Sequence, residues 1–152
     1  MCDVLNHTYV KKIPFVIQEC IRMGLHVSAP DINTSVEQFS DCDQGIIYGL
    51  GVIKGMKQVD AQKIIQERSQ NGKYPDIASF LLRTDITEAA FEKMIRSGSF
   101  STFLKNRSFL LASMEKIIKT KNEVLKKQKA LSALNEEGSR KDVKKAKEQL
   151  DR

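Results

Sequence analysis

The sequence lacks the patterns that mark several common classes of protein. No stretch reaches the ~18 consecutive apolar residues of a membrane span, and no charged leader precedes a short apolar segment with a small-residue cleavage site. Glycine-rich phosphate loops of the ATPase type, nucleophile elbows and zinc-protease motifs are also missing. We therefore expect a soluble cytoplasmic protein with no membrane partner, and no catalytic residue is predicted.

Cysteine is scarce, with only Cys2, Cys20 and Cys42 in the chain. Their odd number and wide spacing, without any C-x-x-C pair, argue against a disulfide framework. His7 and His26 do not combine with them at the spacing of a zinc finger. We therefore expect no metal site and no cofactor.

Carboxylates do not cluster either. The D-x-D pair at Asp41 and Asp43 falls in a predicted turn rather than on a strand beside a basic residue. We interpret it as a solvated loop, because a two-metal phosphoryl-transfer site needs carboxylates held rigidly together.

Positive charge is abundant but unevenly placed. The chain carries 25 Lys and Arg against 19 Asp and Glu, a formal net charge of +6. The excess lies in residues 101–152, which hold 14 basic and 7 acidic residues. Anionic partners are therefore expected.

The apolar periodicity predicts a mainly α fold with a small β element near the N-terminal third. A helix is expected from Pro14 to Gly24, followed by short strands at Leu25–Val27 and Ile46–Tyr48. From Gly49 onward the apolar spacing becomes helical, with helices expected at about 58–70, at 76–83, and from Thr87 to a break at Gly98. The predicted domains are 1–48, an N-terminal helix plus short β element; 49–118, a tandem helix-hairpin-helix; and 119–152, a basic helical tail.

The tail is predicted to be a helical hairpin. Glu136-Glu137-Gly138 would break the first helix, and Ser139 with Asp142 has the spacing of an N-terminal capping box for a second. Its narrow apolar stripe suggests that it folds back on the domain or binds a partner chain.

The first predicted site is the turn Lys54-Gly55-Met56-Lys57 with Gln58. A glycine turn that opens a helix leaves backbone amides free to bind a phosphate oxygen. Met56 would point inward, the amides of Met56, Lys57 and Gln58 would face the phosphate, and both lysines would add charge. The alternative is that Gly55 only permits a left-handed turn between packed helices.

The second predicted site repeats this pattern. Gly98-Ser99-Phe100 is followed by Lys105-Asn106-Arg107 at a predicted helix start. Cations there oppose the helix dipole, which favours a nearby anion. The alternative is an ordinary solvated helix start. With both turns, the prediction is a tandem helix-hairpin-helix that binds the phosphate backbone of a nucleic acid and reads little base information.

With these residues in view, the chain resembles a segment of the catalytic alpha subunit of bacterial DNA polymerase III, the family C replicative polymerases, over about residues 10–118. The resemblance is carried by residues spread along this range: Ile17, Glu19, Cys20, Met23, Gly24, Pro30-Asp31-Ile32-Asn33, Ser35, Phe39, Tyr48-Gly49-Leu50, Ile53-Lys54-Gly55, Arg68, Gly72, Phe80, Arg83, Ile95, Gly98, Phe100, Asn106-Arg107 and Leu110-Leu111.

The resemblance implies a module that follows the fingers and contacts duplex DNA behind the active site without sequence preference. It implies a bacterial, nucleoid-associated protein whose partners are duplex DNA and the remaining domains or subunits of the polymerase. The family's palm domain, with its catalytic aspartates, has no counterpart here, so the chain alone is not expected to polymerise DNA.

Two departures from the family pattern affect the turns. Lys57 stands where family hairpins usually carry a second glycine, and Leu104-Lys105 stands where a glycine commonly precedes the Asn-Arg pair. A lysine can reach a phosphate with its side chain, so we expect contacts that depend on charge as well as on amides.

A second hypothesis comes from a different class of protein. The chain would be a protein-interaction subunit that docks on a partner polymerase chain through its C-terminal helices, with the basic residues only keeping it soluble.

Overall fold

The structure is a computed structural model that describes residues 1–150, the side chain of Val10 excepted. Asp151 and Arg152, the end of the predicted 119–152 tail, lie outside the described residues. The elements in chain order are α1 (Cys2–Asn6), a 3-10 turn (Val10–Lys12), α2 (Ile13–Arg22), β1 (His26–Ser28), β2 (Ser40–Cys42), β3 (Gly45–Ile47), a 3-10 turn (Leu50–Val52), α3 (Gln58–Asn71), α4 (Ile77–Arg83), α5 (Glu88–Ser97) and α6 (Arg107–Leu150).

The mainly α architecture with a small β element near the N-terminus is confirmed. The sheet has the strand order β1-β3-β2, in which β1 pairs parallel and β2 pairs antiparallel with β3. Strand β2 was not predicted, because Ser40-Asp41-Cys42 has no β-branched or aromatic residue to indicate a strand. Its pairing with β3 is a tertiary contact that outweighs this weak propensity.

Most helix ends lie where capping residues and glycines in the sequence predict them. Asp76 caps α4 by accepting a hydrogen bond from the Ser79 amide at 2.6 Å, and Thr87 caps α5 by accepting from the Ala90 amide at 3.2 Å. Gly98 ends α5 in the left-handed conformation at φ 86°, which other residues rarely adopt.

The predicted C-terminal helical hairpin is wrong. α6 is a single helix of 44 residues that continues through Glu136-Glu137-Gly138 and through the proposed capping box at Ser139 and Asp142. One glycine costs a helix about 1 kcal/mol relative to alanine, and the flanking Lys, Glu, Ala and Gln are good helix formers. Without a proline, the break does not occur.

The chain divides into two compact units, Met1–Met114 and Glu115–Arg152. The division expected at residues 48 and 118 stays a prediction. In the second unit, every described residue from Lys126 onward is exposed, including the apolar side chains of Leu131, Leu134 and Val143.

The first unit is built around an aromatic chain that joins its helices. Tyr74 packs edge-on against Phe80 at 5.0 Å between ring centroids, and Phe80 contacts Phe100 at 5.2 Å. Phe91 of α5 completes the chain against Phe100 at 5.4 Å. All four side chains are fully buried, so they fix the turn that follows α5 against α4.

The loop between β1 and β2 is hydrogen-bonded to α3, to the segment before α4 and to the turn that follows α5. Arg68 of α3 donates to the carbonyl oxygens of Ile32 and Ser35 at 2.8 and 2.9 Å, and the amide of Ile32 donates to the carbonyl of Ser99 at 3.3 Å. Asn33 exchanges two hydrogen bonds with the backbone of Tyr74. These contacts give a structural role to several residues that carried the family resemblance.

Candidate nucleic-acid interface

The first turn connects the 3-10 turn at Leu50–Val52 to α3. Ile53 is buried, Gly55 has a φ of 79°, and the amide of Met56 donates to the carbonyl of Ile53 at 2.9 Å. A positive φ of this size is costly for residues with a Cβ, so glycine at this position is required by the turn itself.

The N-terminus of α3 is open. Lys57 is the N-cap residue in an extended conformation, and no side chain caps the helix. Within residues 1–150, no acceptor is found for the amides of Lys57, Gln58 and Val59, whereas the Asp60 amide donates to the Lys57 carbonyl at 3.1 Å. Three adjacent N–H groups at a helix N-terminus form a site suited to an anion.

The charges around this turn have both signs. Lys54 and Lys57 are exposed, as predicted. Gln58 is exposed too, but its side-chain amide donates to the Glu37 carboxylate at 2.5 Å, and this places a negative charge beside the turn. Lys93, which sequence reasoning missed, extends from α5 and donates from Nζ to the Gly55 carbonyl at 2.8 Å.

The predicted role of Met56 changes in two respects. Its side chain is half-buried, while the buried residue is Ile53, which directly precedes the turn. Its amide is already bonded to Ile53, so the free amides begin one residue later, at Lys57. The i to i+3 bond that closes the turn removes this donor.

The second turn uses most of its predicted groups internally. The amide of Gly98 donates to Ile95 and that of Ser99 to Met94, which satisfies the last carbonyls of α5. Ser99 and Phe100 are buried, each 1% exposed. Gly98 is also buried. The helix cap and the aromatic core therefore occupy the stretch that was predicted to face a phosphate.

The accessible part of the second turn is the start of α6. Lys105, Asn106 and Arg107 are exposed, and Asn106 caps the helix by accepting from the Phe109 amide at 3.0 Å. The amides of Arg107 and Ser108 have no acceptor within the described chain. Two free amides and two cations thus lie here.

The contacts of Arg107 also explain why a cation lies at the start of α6, where it opposes the helix dipole. Its Nη1 donates to the carbonyl of Arg96 at 3.1 Å, in the last turn of α5. A cation at a helix C-terminus is favourable, so the guanidinium is stabilised by α5 although its own helix begins there. The unfavourable dipole interaction that had suggested a bound anion is therefore offset within the protein.

Neither a helix able to cross a membrane nor a cluster of metal ligands is present in the described residues. None of the described helices combines the length and apolarity that a membrane crossing requires. Across residues 1–150 there is no group of three or more His, Cys, Asp or Glu side chains positioned to hold a metal ion.

One glycine turn joins the 3-10 turn at Leu50–Val52 to α3, and the other joins α5 to α6. Each is followed by a helix N-terminus with free amides and nearby cations, which defines a helix-hairpin-helix protein. A family model described as helix-hairpin-helix motif matches residues 24–110, and the chain belongs to this family.

Individual proteins similar to this chain indicate a narrower group than the motif does. The chain is 40% identical over 119 residues to the DNA polymerase III subunit alpha of Buchnera aphidicola subsp. Schizaphis graminum, a match that covers 76% of this chain and 10% of the relative. It is 36% identical over 115 residues to that of Borreliella burgdorferi, with 74% and 10% covered. For Escherichia coli strain K12 the values are 32% over 117 residues, 74% and 10%. The predicted resemblance is confirmed, and the chain spans about a tenth of the length of these relatives.

Proposed function

We propose that the chain is a sequence-independent duplex DNA-binding module of a bacterial replicative polymerase, which grips the phosphate backbone behind the active site and does not catalyse by itself. The observation that carries this proposal is the open N-terminus of α3, where three free amides lie beside exposed Lys54 and Lys57. Membership of the helix-hairpin-helix family and relatives named DNA polymerase III subunit alpha support it.

In this mechanism a phosphate oxygen accepts hydrogen bonds from the amides of Lys57, Gln58 and Val59. A second phosphate would be bound at the start of α6 by the amides of Arg107 and Ser108, with Lys105 supplying charge. Backbone amides and flexible cations contact phosphates but do not distinguish base edges. Binding is therefore expected to be independent of sequence and to depend steeply on salt, because each neutralised phosphate releases counterions.

We also propose that the module works inside a larger polymerase. Its partners would be duplex DNA and the remaining domains or subunits of the polymerase, and its place would be with the nucleoid in the bacterial cytoplasm. The relatives are about ten times longer than the matched segment, which is consistent with a module that works inside a larger assembly.

The test is the salt dependence of duplex binding, measured by fluorescence anisotropy with two duplexes of unrelated sequence. Lys54→Ala and Lys57→Ala should each weaken binding to both duplexes and lower the slope of log K against log salt by about one unit. The matched control is Lys63→Ala, which removes an exposed lysine from the body of α3. An equal effect of all three variants, or no binding at low salt, would contradict the proposal.

The alternative, a protein-interaction subunit that docks through its C-terminal part, is favoured by the exposed leucines Leu131 and Leu134 on α6. The docking element would then be one long helix and not a hairpin. Truncation after Lys119 separates the two functions. DNA binding that survives truncation, together with lost co-purification with a polymerase chain, would assign docking to α6.

A further inference from the structure

An open groove of about 620 Å³ lies in the first unit beside the first turn. Its apolar wall includes Ile17 and Ile21 of α2, Val27 of β1, and Ile53. Ile21 is 59% exposed although it is a large aliphatic side chain in a folded unit. A contiguous apolar surface of this kind is typical of a binding groove.

The charged groups of the groove all have the same sign. Lys54, Lys93 and Arg96 line it, and no carboxylate does. Arg96 is paired with Glu92 at 2.8 Å, but neither lysine forms an ion pair anywhere in residues 1–150. The groove therefore presents an aliphatic wall with unbalanced positive charge along one side.

We propose that this groove binds an acidic amphipathic helix of a partner protein. Leucine or isoleucine anchors at i, i+3 or i+4, and i+7 would lie against Ile17, Ile21 and Val27, and Asp or Glu side chains beside them would pair with Lys54 and Lys93. This is the helix-in-groove mode, in which aliphatic contacts supply affinity and charge complementarity supplies orientation.

The chemistry of the groove favours a peptide over a nucleotide. Sequence-tolerant binding of single strands depends on aromatic side chains on which bases stack. Tyr48 is the one aromatic residue among those that line this groove, and its ring is packed against Phe39 at 4.6 Å between centroids. The aliphatic wall matches leucine and isoleucine better than it matches a base.

The inference concerns a protein partner and does not rest on DNA binding. The probe is a fluorescein-labelled helical peptide of about four turns, with leucines on one face and glutamates on both flanks of that face. Binding to the full chain is followed by anisotropy, and the site is located by amide chemical-shift changes. Ile21→Glu should weaken binding about tenfold or more.

The matched control is Phe15→Glu. Phe15 lies on the same helix and is 71% exposed, but it does not line the groove, so this variant adds the same charge to α2 outside the site. It should leave the affinity unchanged within about twofold. A peptide with lysine in place of each glutamate, and one with alanine in place of each leucine, should both bind about tenfold more weakly.

Four results would overturn the inference. The first is no binding of the acidic peptide up to about 1 mM, and the second is an equal loss of peptide affinity in Ile21→Glu and Phe15→Glu. The third is that the alanine peptide binds as tightly as the leucine peptide. The fourth is binding of oligothymidylate that Ile21→Glu abolishes. The last result would assign the groove to single-stranded nucleic acid. Circular dichroism melts of both variants, which change exposed side chains, check that the fold is retained.

Discussion

Lys93 of α5 donates a hydrogen bond from Nζ to the carbonyl oxygen of Gly55 at 2.8 Å. The two residues are 38 positions apart, so this contact ties the second helix pair to the first glycine turn. The Lys93 stem also fills the space beside Gly55, since an added Cβ there would lie 2.6 Å from Nζ. The geometry of the first turn thus depends on a residue of α5, the helix that precedes the second glycine turn.

Substitution of Gly55 by alanine tests this dependence. Gly55→Ala should destabilise the protein by about 1–2 kcal/mol because alanine is strained at positive φ, and should weaken DNA binding because the Cβ displaces Lys93. Gly24→Ala is the control, because Gly24 has a similar φ of 83° and nothing within 4 Å of an added Cβ. Thermal melts should shift similarly for both, while binding falls only for Gly55→Ala. Equal binding by the two variants would show that Lys93 does not organise the turn.

Substitutions of Arg107 and of Lys105 should differ in their effect on stability but not in their effect on DNA binding. Arg107→Ala removes the hydrogen bond to the Arg96 carbonyl and should cost about 0.5–1 kcal/mol of stability, whereas Lys105→Ala should leave stability unchanged. Both should lower the salt slope of duplex binding by about one unit. Urea unfolding and anisotropy measure the two quantities. A loss of stability without loss of binding in Arg107→Ala would make this arginine purely structural.

The Tyr74 hydroxyl predicts sensitivity to high pH. Tyr74 donates to the Ile64 carbonyl at 2.8 Å, and burial raises the pKa of Tyr74 from 10.0 to about 12. A folded-state pKa above the unfolded value means that this stabilisation is complete below pH 10 and is lost as pH rises through about 12. At about 1.36 kcal/mol per pKa unit, this shift corresponds to about 3 kcal/mol.

The free energy of unfolding is measured from pH 10 to about pH 12 for the wild type and for Tyr74→Phe. The variant should lose less stability on the alkaline side, although it is less stable near neutrality because the Ile64 carbonyl loses the hydrogen bond from the Tyr74 hydroxyl. Tyr9→Phe, at a residue 79% exposed, is the control and should follow the wild type. Parallel curves for Tyr74→Phe and the wild type would contradict the assignment.

Gly138 distinguishes a continuous helix from a hairpin. In α6 nothing lies within 4 Å of an added Cβ at Gly138, so Gly138→Ala should raise the helicity of the C-terminal part and stabilise it locally by about 1 kcal/mol. Far-ultraviolet circular dichroism and amide hydrogen exchange measure this. In a hairpin, the same change would remove a turn glycine and lower the helicity. Ala133→Gly in the same helix should give the opposite change.

Much of the fold followed from local signals. The positions of α2, α3, α4 and α5 were predictable because apolar spacing, Asp76, Thr87 and Gly98 act over a few residues. The strand β2 was not, because its stability comes from pairing with β3. The uninterrupted α6 was missed because one glycine was given more weight than the helix propensity of its neighbours.

The candidate site divides in the same way. Lys54, Gly55 and Lys57 were predicted from the glycine turn, and Lys105 and Arg107 from the helix start, and all five stay predictions. Lys93 could not be found, because nothing local to α5 indicates that its side chain reaches Gly55. The burial of Ser99 and Phe100 could not be predicted either, because it depends on Phe80 and Phe91 from other helices.

By itself the sequence determined the helical class, the two glycine turns and the family, because these depend on short-range periodicity, on backbone angles that glycine alone adopts easily, and on residue order. Only the tertiary structure decided which groups of each turn stay available to a phosphate. An amide or cation is free only if no other segment satisfies it. That depends on contacts between residues far apart in the chain.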